Sequence, residues 1–451
     1  MADKNIIMAE RIARAVDACG GTAYYIGGFV RDRLRGEESK DIDIEVHGIA
    51  PKVLEGILDT LGGRISIGES FGIYRLKGYS LDIAMPRKEK NRGRGHRDFE
   101  VFVDPFIGTR KAAMRRDFTI NALMENVLSG EVVDHFGGIR DLHEGVLRHI
   151  NDATFAEDPL RVLRAAQFAA RFEYRVAEET VALCRKMDLS TLPKERIIAE
   201  LQKALLKAQK PSVFFEVLRG MEQLGVWFPE LSATIGVPQS PVHHAEGDVW
   251  THTMMVVDEA AAFRDKAQNT FGFMLAAVAH DFGKVLCTEK INGVWHAYNH
   301  EREGLPLIRQ FLQRLTSEKA LTHYVLNLCE HHMRPNMLAH DNASLKATNK
   351  MFDASVDPTG LIYLATADGL GKISTYDYIS YEAFLTERLQ CYRETMQQPY
   401  VQGKDLLEAG VQQTERFHEY IEFAHKLRLA GVKKYIALRQ VLALAKENKD
   451  V

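Results

Sequence analysis

Asp41 and Asp43, separated by one residue in "KDIDIEV", follow a glycine pair, Gly27 and Gly28 in "YYIGGFVRD", after a short basic segment. In a strand side chains alternate, so Asp41 and Asp43 project from one face while Ile42 and Ile44 project from the other. Carboxylates held that close repel unless a divalent cation lies between them. Such a pair suits phosphoryl or nucleotidyl transfer, in which one ion lowers the pKa of an attacking hydroxyl and another steadies a triphosphate and its leaving group. The glycines fit the same chemistry. Gly27 and Gly28 let backbone N–H groups approach phosphate oxygens, and Arg31 supplies a cation for that anion. A second chemistry-bearing region is rich in histidine: "WTHTMMVVD", "LAAVAHDFGKV", "AYNHEREG", "CEHHMRP" and "ATADGLGK".

The scaffold that must carry these residues is long. A chain of 451 residues suggests roughly two to four domains. At 46% hydrophobic and 26% charged it has a globular composition, and its longest apolar run, "FGFMLAAVA" at 271–279, reads as a buried helix, too short to span a membrane. Up to about residue 145, "YYIGGFV", "DIDIEVHG", "YRLKGYSLDIAM" and "FEVFVD" read as short strands around an amphipathic stretch at 51–61. From about 152 onward strand signals almost vanish and apolar residues recur at helical spacing. The fold class expected is α+β: an α/β head over 1–145, a helical segment over 146–240, a histidine-rich helical unit over 241–395 and a helical tail over 396–451. Five scattered cysteines without CxxC spacing predict free thiols, and the N-terminus lacks the apolar core of an export signal, so a cytoplasmic protein is expected. The net charge of −3 leaves nucleic-acid binding to local clusters. The segment "RKEKNRGRGHR" at 87–97 is one, either a solvated loop or a pliable loop that touches phosphate.

"GGFVRD" followed by "DID" resembles the first motif of the class II tRNA nucleotidyltransferase and bacterial poly(A) polymerase family. "RRDFTINAL" (115–123) resembles its second motif, which implies that Arg116 and Asp117 bind ribose and phosphates, with Asn121 nearby. "EDPLRVLRAAQFAARF" (157–172) resembles its nucleobase-selecting motif. There Asp158 and Arg161 lie three apart on a helix and share a face. An acceptor beside a donor complements cytosine and adenine and leaves polar groups unpaired against uracil or guanine, so the pair favours CTP and ATP. "LPKERIIAEL" (192–201) resembles the next helical motif, with Glu195 and Arg196 bracing the nucleotide helix. Asp82 in "LDIAMPR" is either a third carboxylate near the metals or a strand-end aspartate facing solvent.

The histidine-rich strings together resemble the HD phosphohydrolase superfamily. The resemblance implies a divalent metal held by His252, His280, Asp281 and Asp368. His300 and His331 (or His332) occupy places where a second metal or a phosphate contact is found, and Lys284 is placed to meet a phosphate oxygen. Mixed imidazole and carboxylate ligands suit Mn, Fe, Co, Ni or Zn, and the reaction implied is attack on a phosphoester by metal-activated water.

The function expected from these resemblances is addition of CMP, CMP and AMP to the 3′ end of tRNA without a template, with Mg²⁺ at Asp41 and Asp43. The partners are tRNA, ATP and CTP, with no DNA and no membrane; oligomeric state is not legible in the sequence. Poly(A) polymerase and CC-only or A-only enzymes share the head motifs, and an HD hydrolase with a nucleotide-sensing head is the reading from a different class.

Overall fold

The computed structural model describes residues 4–39, 41–66, 72–91, 99–375 and 379–448. The chain divides into two compact units: Met1–Ala204 with Val213–Trp227, and Leu205–Ser212 with Phe228–Val451.

The first unit is built on a seven-stranded sheet. Its strands are β1 (Thr22–Ile26), β2 (Ile42–His47), β3 (Arg64–Ser66), β4 (Ile73–Leu76), β5 (Leu81–Ala84), β8 (Met124–Asn126) and β9 (Val132–Val133), in the order β3-β4-β5-β2-β1-β8-β9. Within this sheet, among the described residues, only β2 and β5 pair in parallel. The buried face of β2, Ile42, Ile44 and Val46, shares one core with Met8, Ile12 and Val16 of the helix Lys4–Asp17 and Leu54 and Leu58 of the helix Pro51–Leu61. Full burial of each such side chain stabilises by about 1.5–3 kcal/mol, which fixes the register and turns the acidic face of β2 away from the core. Strand β1 stops at Ile26, and Gly28 opens the helix Gly28–Leu34. "YYIGGFV" is therefore a strand, a turn and a helix start, not one strand. The basic segment also differs from the expected loop. Arg87–Asn91 forms β6, paired antiparallel with β7 (Phe99–Val103), while residues 92–97 lie outside the described residues. A short parallel pair, β10 (Val146–Leu147) and β11 (Arg175–Val176), leads toward the helices Leu160–Phe172 and Lys194–Lys207.

Among the described residues, the second unit is helical except for one hairpin. The helices Val249–Phe263, Thr270–Ala279, Lys319–His331 and Pro358–Leu370 pack on one another, and Phe271 to Ala279 are all buried. Asp248, Asn269 and Asp357 cap helix starts by accepting from Thr251, Gly272 and Gly360 N–H groups. The hairpin is β12 (Thr288–Ile291) with β13 (Val294–Ala297), which the expectation of vanishing strand signals missed. Asn292 and Gly293 turn it at φ 50° and 86°, an Asn-Gly turn whose left-handed residues match the twist of the flanking strands. Val401, Leu406, Tyr420 and Val441 belong to a separate cluster of buried residues near the end of the chain.

Candidate functional site

Alternation along β2 presents four polar side chains, not two: Asp41 just before the strand, then Asp43, Glu45 and His47. Asp41 is exposed and Asp43 half-buried. In the parallel register Asp43 stands opposite Asp82 of β5. Burial raises the Asp43 pKa, and the carboxylates of Asp82 and Asp41 raise it further against the pull of Arg116. This concentration of negative charge on oxygen donors fits a hard divalent cation. Asp82 is itself committed, because Arg75 donates to both its oxygens at 2.6 and 2.8 Å.

Glu45 was not read from the sequence as a functional residue, although the same alternation that aligns Asp41 and Asp43 includes it. It is buried, 3.0 Å from His47 Nε2, with Arg115 and Arg116 at 3.5 and 3.7 Å. Burial alone would raise its pKa; the His47 hydrogen bond and the two arginines hold it down at about 2. Glu45 thus aims Arg116 at the glycine turn. Gly27 adopts φ 65°, and a Cβ there would lie 3.1 Å from Arg116 Nη1, so the turn needs glycine both for its backbone and for the arginine beside it.

Arg31 is placed otherwise than as a free phosphate cation. It is buried; its Nη1 donates to Asn121 Oδ1 at 2.7 Å, its Nε to Asp32 at 2.8 Å, and its guanidinium lies 4.6 Å from the Phe172 ring. Asn121 in turn donates to Asp117 Oδ1 at 3.0 Å, and Arg164 Nε and Nη2 approach Asp117 Oδ2 at 2.7 and 2.6 Å. Arg31, Asn121, Asp117 and Arg164 therefore form one hydrogen-bonded chain that ties the glycine turn to the helix Leu160–Phe172. Burial would raise the Asp117 pKa, but Arg164 and the Asn121 hydrogen bond lower it. Of the residues expected to touch nucleotide, Asp117, Asn121 and Arg31 hold the turn and the helix together, and Arg116 stands at the turn.

Asp158 and Arg161 do not pair with each other. Arg196 donates to both oxygens of Asp158, at 3.2 and 2.9 Å, as a brace for the nucleotide helix would, while Glu195 is exposed. Arg161 donates to the carbonyls of Thr154 (2.8 Å) and Arg115 (2.6 Å). A guanidinium carries five N–H donors, so donors remain beyond these two bonds.

In the second unit the histidine cluster comes together. His280, His300 and His332 each place Nδ1 against the carbonyl three residues earlier, at 2.9, 2.8 and 2.6 Å, and His252 Nδ1 faces Gly371 O at 3.1 Å. With Nδ1 turned to these carbonyls, the four Nε2 atoms face one another and two aspartates. His252 Nε2 lies 3.0 Å from Asp368 and 3.5 Å from Asp281; His280 Nε2 lies 3.3 Å from Asp281; His300 Nε2 lies 3.1 Å from Asp281 and 3.3 Å from His332 Nε2. His280 Nε2 is buried without a hydrogen bond, which is costly unless a cation takes its lone pair. Asp281 offers Oδ2 to His252 and His280 and Oδ1 to His300 and His332, so the donor set fits one divalent ion and has room in kind for a second. His332, not His331, joins the cluster: successive helical side chains diverge by about 100°, and His331 Nδ1 makes no hydrogen bond among the described residues. Lys284 Nζ lies 2.7 Å from Asp281 Oδ2 and donates to Gln239 at 2.8 Å.

Burial alone would lower the His252 pKa, but hydrogen bonds to Asp368 and Glu246 lift it to about 9; burial among other imidazoles pushes His332 down to about 3. Glu246 is a second residue missed from sequence. It meets His252 Nδ1 at 3.2 Å and His244 Nδ1 at 2.8 Å, and "HHAEGD" gave no spacing that pointed to it. Backbone packing sets the spacing of the cluster: a Cβ on Gly283 would fall 1.9 Å from His300 O, so the Asp281 turn and the His300 turn touch main chain to main chain.

Residues 23–148 match the model of the poly A polymerase head domain family. The multifunctional CCA protein of Pasteurella multocida is 34% identical over 405 residues, covering 86% of this chain and 92% of that protein. That of Actinobacillus pleuropneumoniae is 36% identical over 323 residues, covering 70% and 76%. In fold, the chain is similar to the Thermotoga maritima CCA-adding enzyme complexed with tRNA (TM-score 0.65, 21% identity, covering 98% of this chain and 96% of that one). It is also similar to a CCA-adding enzyme in complex with ATP (TM-score 0.69, 21% identity, covering 99% and 95%). The 34% identity to the Pasteurella multocida protein, over 86% of this chain, means that the chain belongs to the multifunctional CCA protein family.

Proposed function

We infer that this chain adds CMP, CMP and AMP in turn to the 3′ end of tRNA, using CTP and ATP, at the acidic face of β2. The observation that carries the reading is the half-buried Asp43, set in register with Asp82 beside Asp41, in a member of this family. Nucleotidyltransferases of this class depend on divalent metal. Asp41 and Asp43 would hold Mg²⁺, which supplies a more acidic attacking hydroxyl and charge neutralisation at the leaving pyrophosphate. Around them the chain's own groups position the nucleotide. Gly27 and Gly28 admit phosphate oxygens to backbone N–H groups, Arg116 meets their charge, and Glu45 keeps Arg116 turned toward them. The tRNA 3′-oxygen attacks the α-phosphorus, the bond to the β-phosphate oxygen breaks, and pyrophosphate leaves. Asp158, oriented by Arg196, and Arg161 read the base as acceptor and donor.

Primer extension on tRNA transcripts ending before CCA, after C and after CC tests this, with CTP and ATP given separately and together. Addition of CCA followed by arrest is the expected result. Long A tails mean a poly(A) polymerase, a stop at CC or a need for CC means a split activity, and no incorporation refutes the assignment.

A second reading is favoured by the four convergent Nε2 atoms: a metal-dependent phosphohydrolase in the second unit. His252, His280, Asp281 and Asp368 would hold a transition metal (Mn, Fe, Co, Ni or Zn), which supplies a hydroxide-like water at neutral pH. His300 and His332 extend the donor set, and Lys284 offers a cation to a phosphate oxygen. Release of phosphoester product by metal-loaded protein, lost on His280→Ala, is the test.

A further inference from the structure

Tyr25 of β1 stands opposite Ile44 of β2 on one side and Glu125 of β8 on the other. Residues paired across strands share a face, so Tyr25 and Glu125 lie on the side of the sheet away from Asp43. There they line a cavity of about 960 Å³, walled by the helices Lys4–Asp17 and Gly28–Leu34, the segment 37–39 and the turn after β8. Both polar side chains are deep, Tyr25 being 3% and Glu125 6% exposed. The Tyr25 hydroxyl makes no hydrogen bond among the described residues. Glu125 accepts one, from Arg33 Nη1 to Oε1 at 2.8 Å, and its Oε2 is left over. Buried polar groups left without a partner are costly. Glu10 is half-buried and Glu38 exposed, and neither makes an ion pair or hydrogen bond among the described residues. The lining carries four glutamates against one arginine.

We propose that this cavity binds an extended aliphatic polyamine, a chain carrying several spaced ammonium groups. One ammonium donates to the Tyr25 hydroxyl oxygen and to Glu125 Oε2 at the base, beside the Phe29 ring, which lies 4.8 Å from that of Tyr25. A second lies toward the opening, near Glu10 and Glu38. A single divalent ion does not match: among the described residues, this lining nowhere brings three carboxylate or imidazole ligand atoms within 4.8 Å of one another, as the histidine cluster does. Negative charge spread so widely calls for a ligand whose own charges are spaced, joined by methylenes that lie against Ile6 and Leu128. The volume stands at the upper end of small-ligand cavities, about 300–1,000 Å³, with room for an extended chain. The helix Gly28–Leu34 feels the occupant directly. Phe29 and Arg33, four apart, share its face toward the cavity, while Arg31, on the other side, bonds Asn121. A bound polyamine therefore props this helix from behind.

Calorimetric titration of the full-length protein with spermidine, at about 150 mM salt so that exposed charges are screened, tests the site in the absence of nucleotide and tRNA. Saturable binding is expected. Tyr25→Phe and Glu125→Gln are each expected to weaken it about tenfold, the scale of a hydrogen bond to a charged group. Glu144→Gln, which neutralises an exposed glutamate outside the cavity, is expected to change it by about twofold or less. Melting curves check that the variants are folded. In the wild-type protein, spermidine should slow hydrogen exchange in the helix Gly28–Leu34, a readout that needs no variant. The site is overturned by the lack of saturable binding, by affinity indifferent to Tyr25→Phe and Glu125→Gln, by an equal loss in Glu144→Gln, or by exchange that slows only elsewhere. Tighter binding of a tetralysine peptide than of spermidine, or displacement of spermidine by an equal concentration of Mg²⁺, overturns the choice of a polyamine.

Discussion

Replacing Arg164 with methionine removes the strongest partner of Asp117. Breaking a buried ion pair by deleting one member costs about 3–5 kcal/mol, because the remaining charge is left uncompensated. Two features move the expectation to the lower end. The Arg164 side chain is 30% exposed, so water reaches the site, and Asp117 Oδ1 keeps its bonds from Asn121 and the Phe118 N–H. A loss of about 3 kcal/mol is expected, a factor of roughly 150 in the local opening constant. Hydrogen exchange of the helix Leu160–Phe172 reads this locally, which matters in a chain of two units that need not unfold together. The pH dependence has a definite sign. The folded Asp117 pKa lies below its ordinary value, so its stabilisation is complete above about pH 4 and is lost as pH falls through the folded value. In Arg164→Met the carboxyl takes up a proton more readily, so the difference between wild type and variant narrows as pH drops from about 6 toward 3. Asp117→Asn combined with Arg164→Met should cost less than Arg164→Met alone, since a neutral amide needs no counter-charge. A cost under about 1 kcal/mol, well below that of a broken buried pair, or a difference that does not change with pH, refutes the role given to this pair.

Asp43→Asn should reduce nucleotide addition by at least about 10³-fold, the loss of several kcal/mol of metal-borne stabilisation, while phosphoester hydrolysis persists; single-turnover extension measures it. Arg196→Ala frees Asp158 and should raise KM for CTP and ATP about tenfold, the scale of a hydrogen bond to a charged group, with measurable UTP incorporation in competition assays. Glu246→Gln should weaken metal binding to the histidine cluster about 10–100-fold by releasing His252 Nδ1, read by competition with a metal-sensitive dye. Gly27→Ala should lose roughly 1–2 kcal/mol from its left-handed backbone and displace Arg116, so that KM for nucleotide rises when initial rates are measured.

The short-range features were legible. Asp41, Asp43 and Ile42 follow from strand alternation alone, and the helix 51–61 from its period. What was not legible depends on partners distant along the chain. Arg31 reads as a free cation until Asn121, 90 residues away, is brought against it. Asp158 and Arg161 read as two residues of one helix until Asp158 is placed two residues before the helix start, with Arg196, 38 residues on, donating to both its oxygens. His331 and His332 are equivalent in the sequence, and only the packing of their helix chooses between them. The hairpin β12–β13 is a different kind of miss: Asn292-Gly293 between two short strands was present as a signal, outweighed by the helical periodicity on either side.

The bonded chain from Arg31 through Asn121 and Asp117 to Arg164 has a consequence for how two different bases share one pocket. It links the turn proposed to receive phosphates to the helix proposed to read bases, through buried Arg31, Asn121 and Asp117 and half-buried Arg164. While these bonds are kept, it works as a caliper locked at one gape. Cytosine and adenine differ in width by a whole ring, and a locked caliper cannot widen between the second and third additions. The change of preference from C to A must enter from outside this chain of bonds: from the primer's lengthening 3′ end, or from side chains free to swing, such as the uncommitted donors of Arg161.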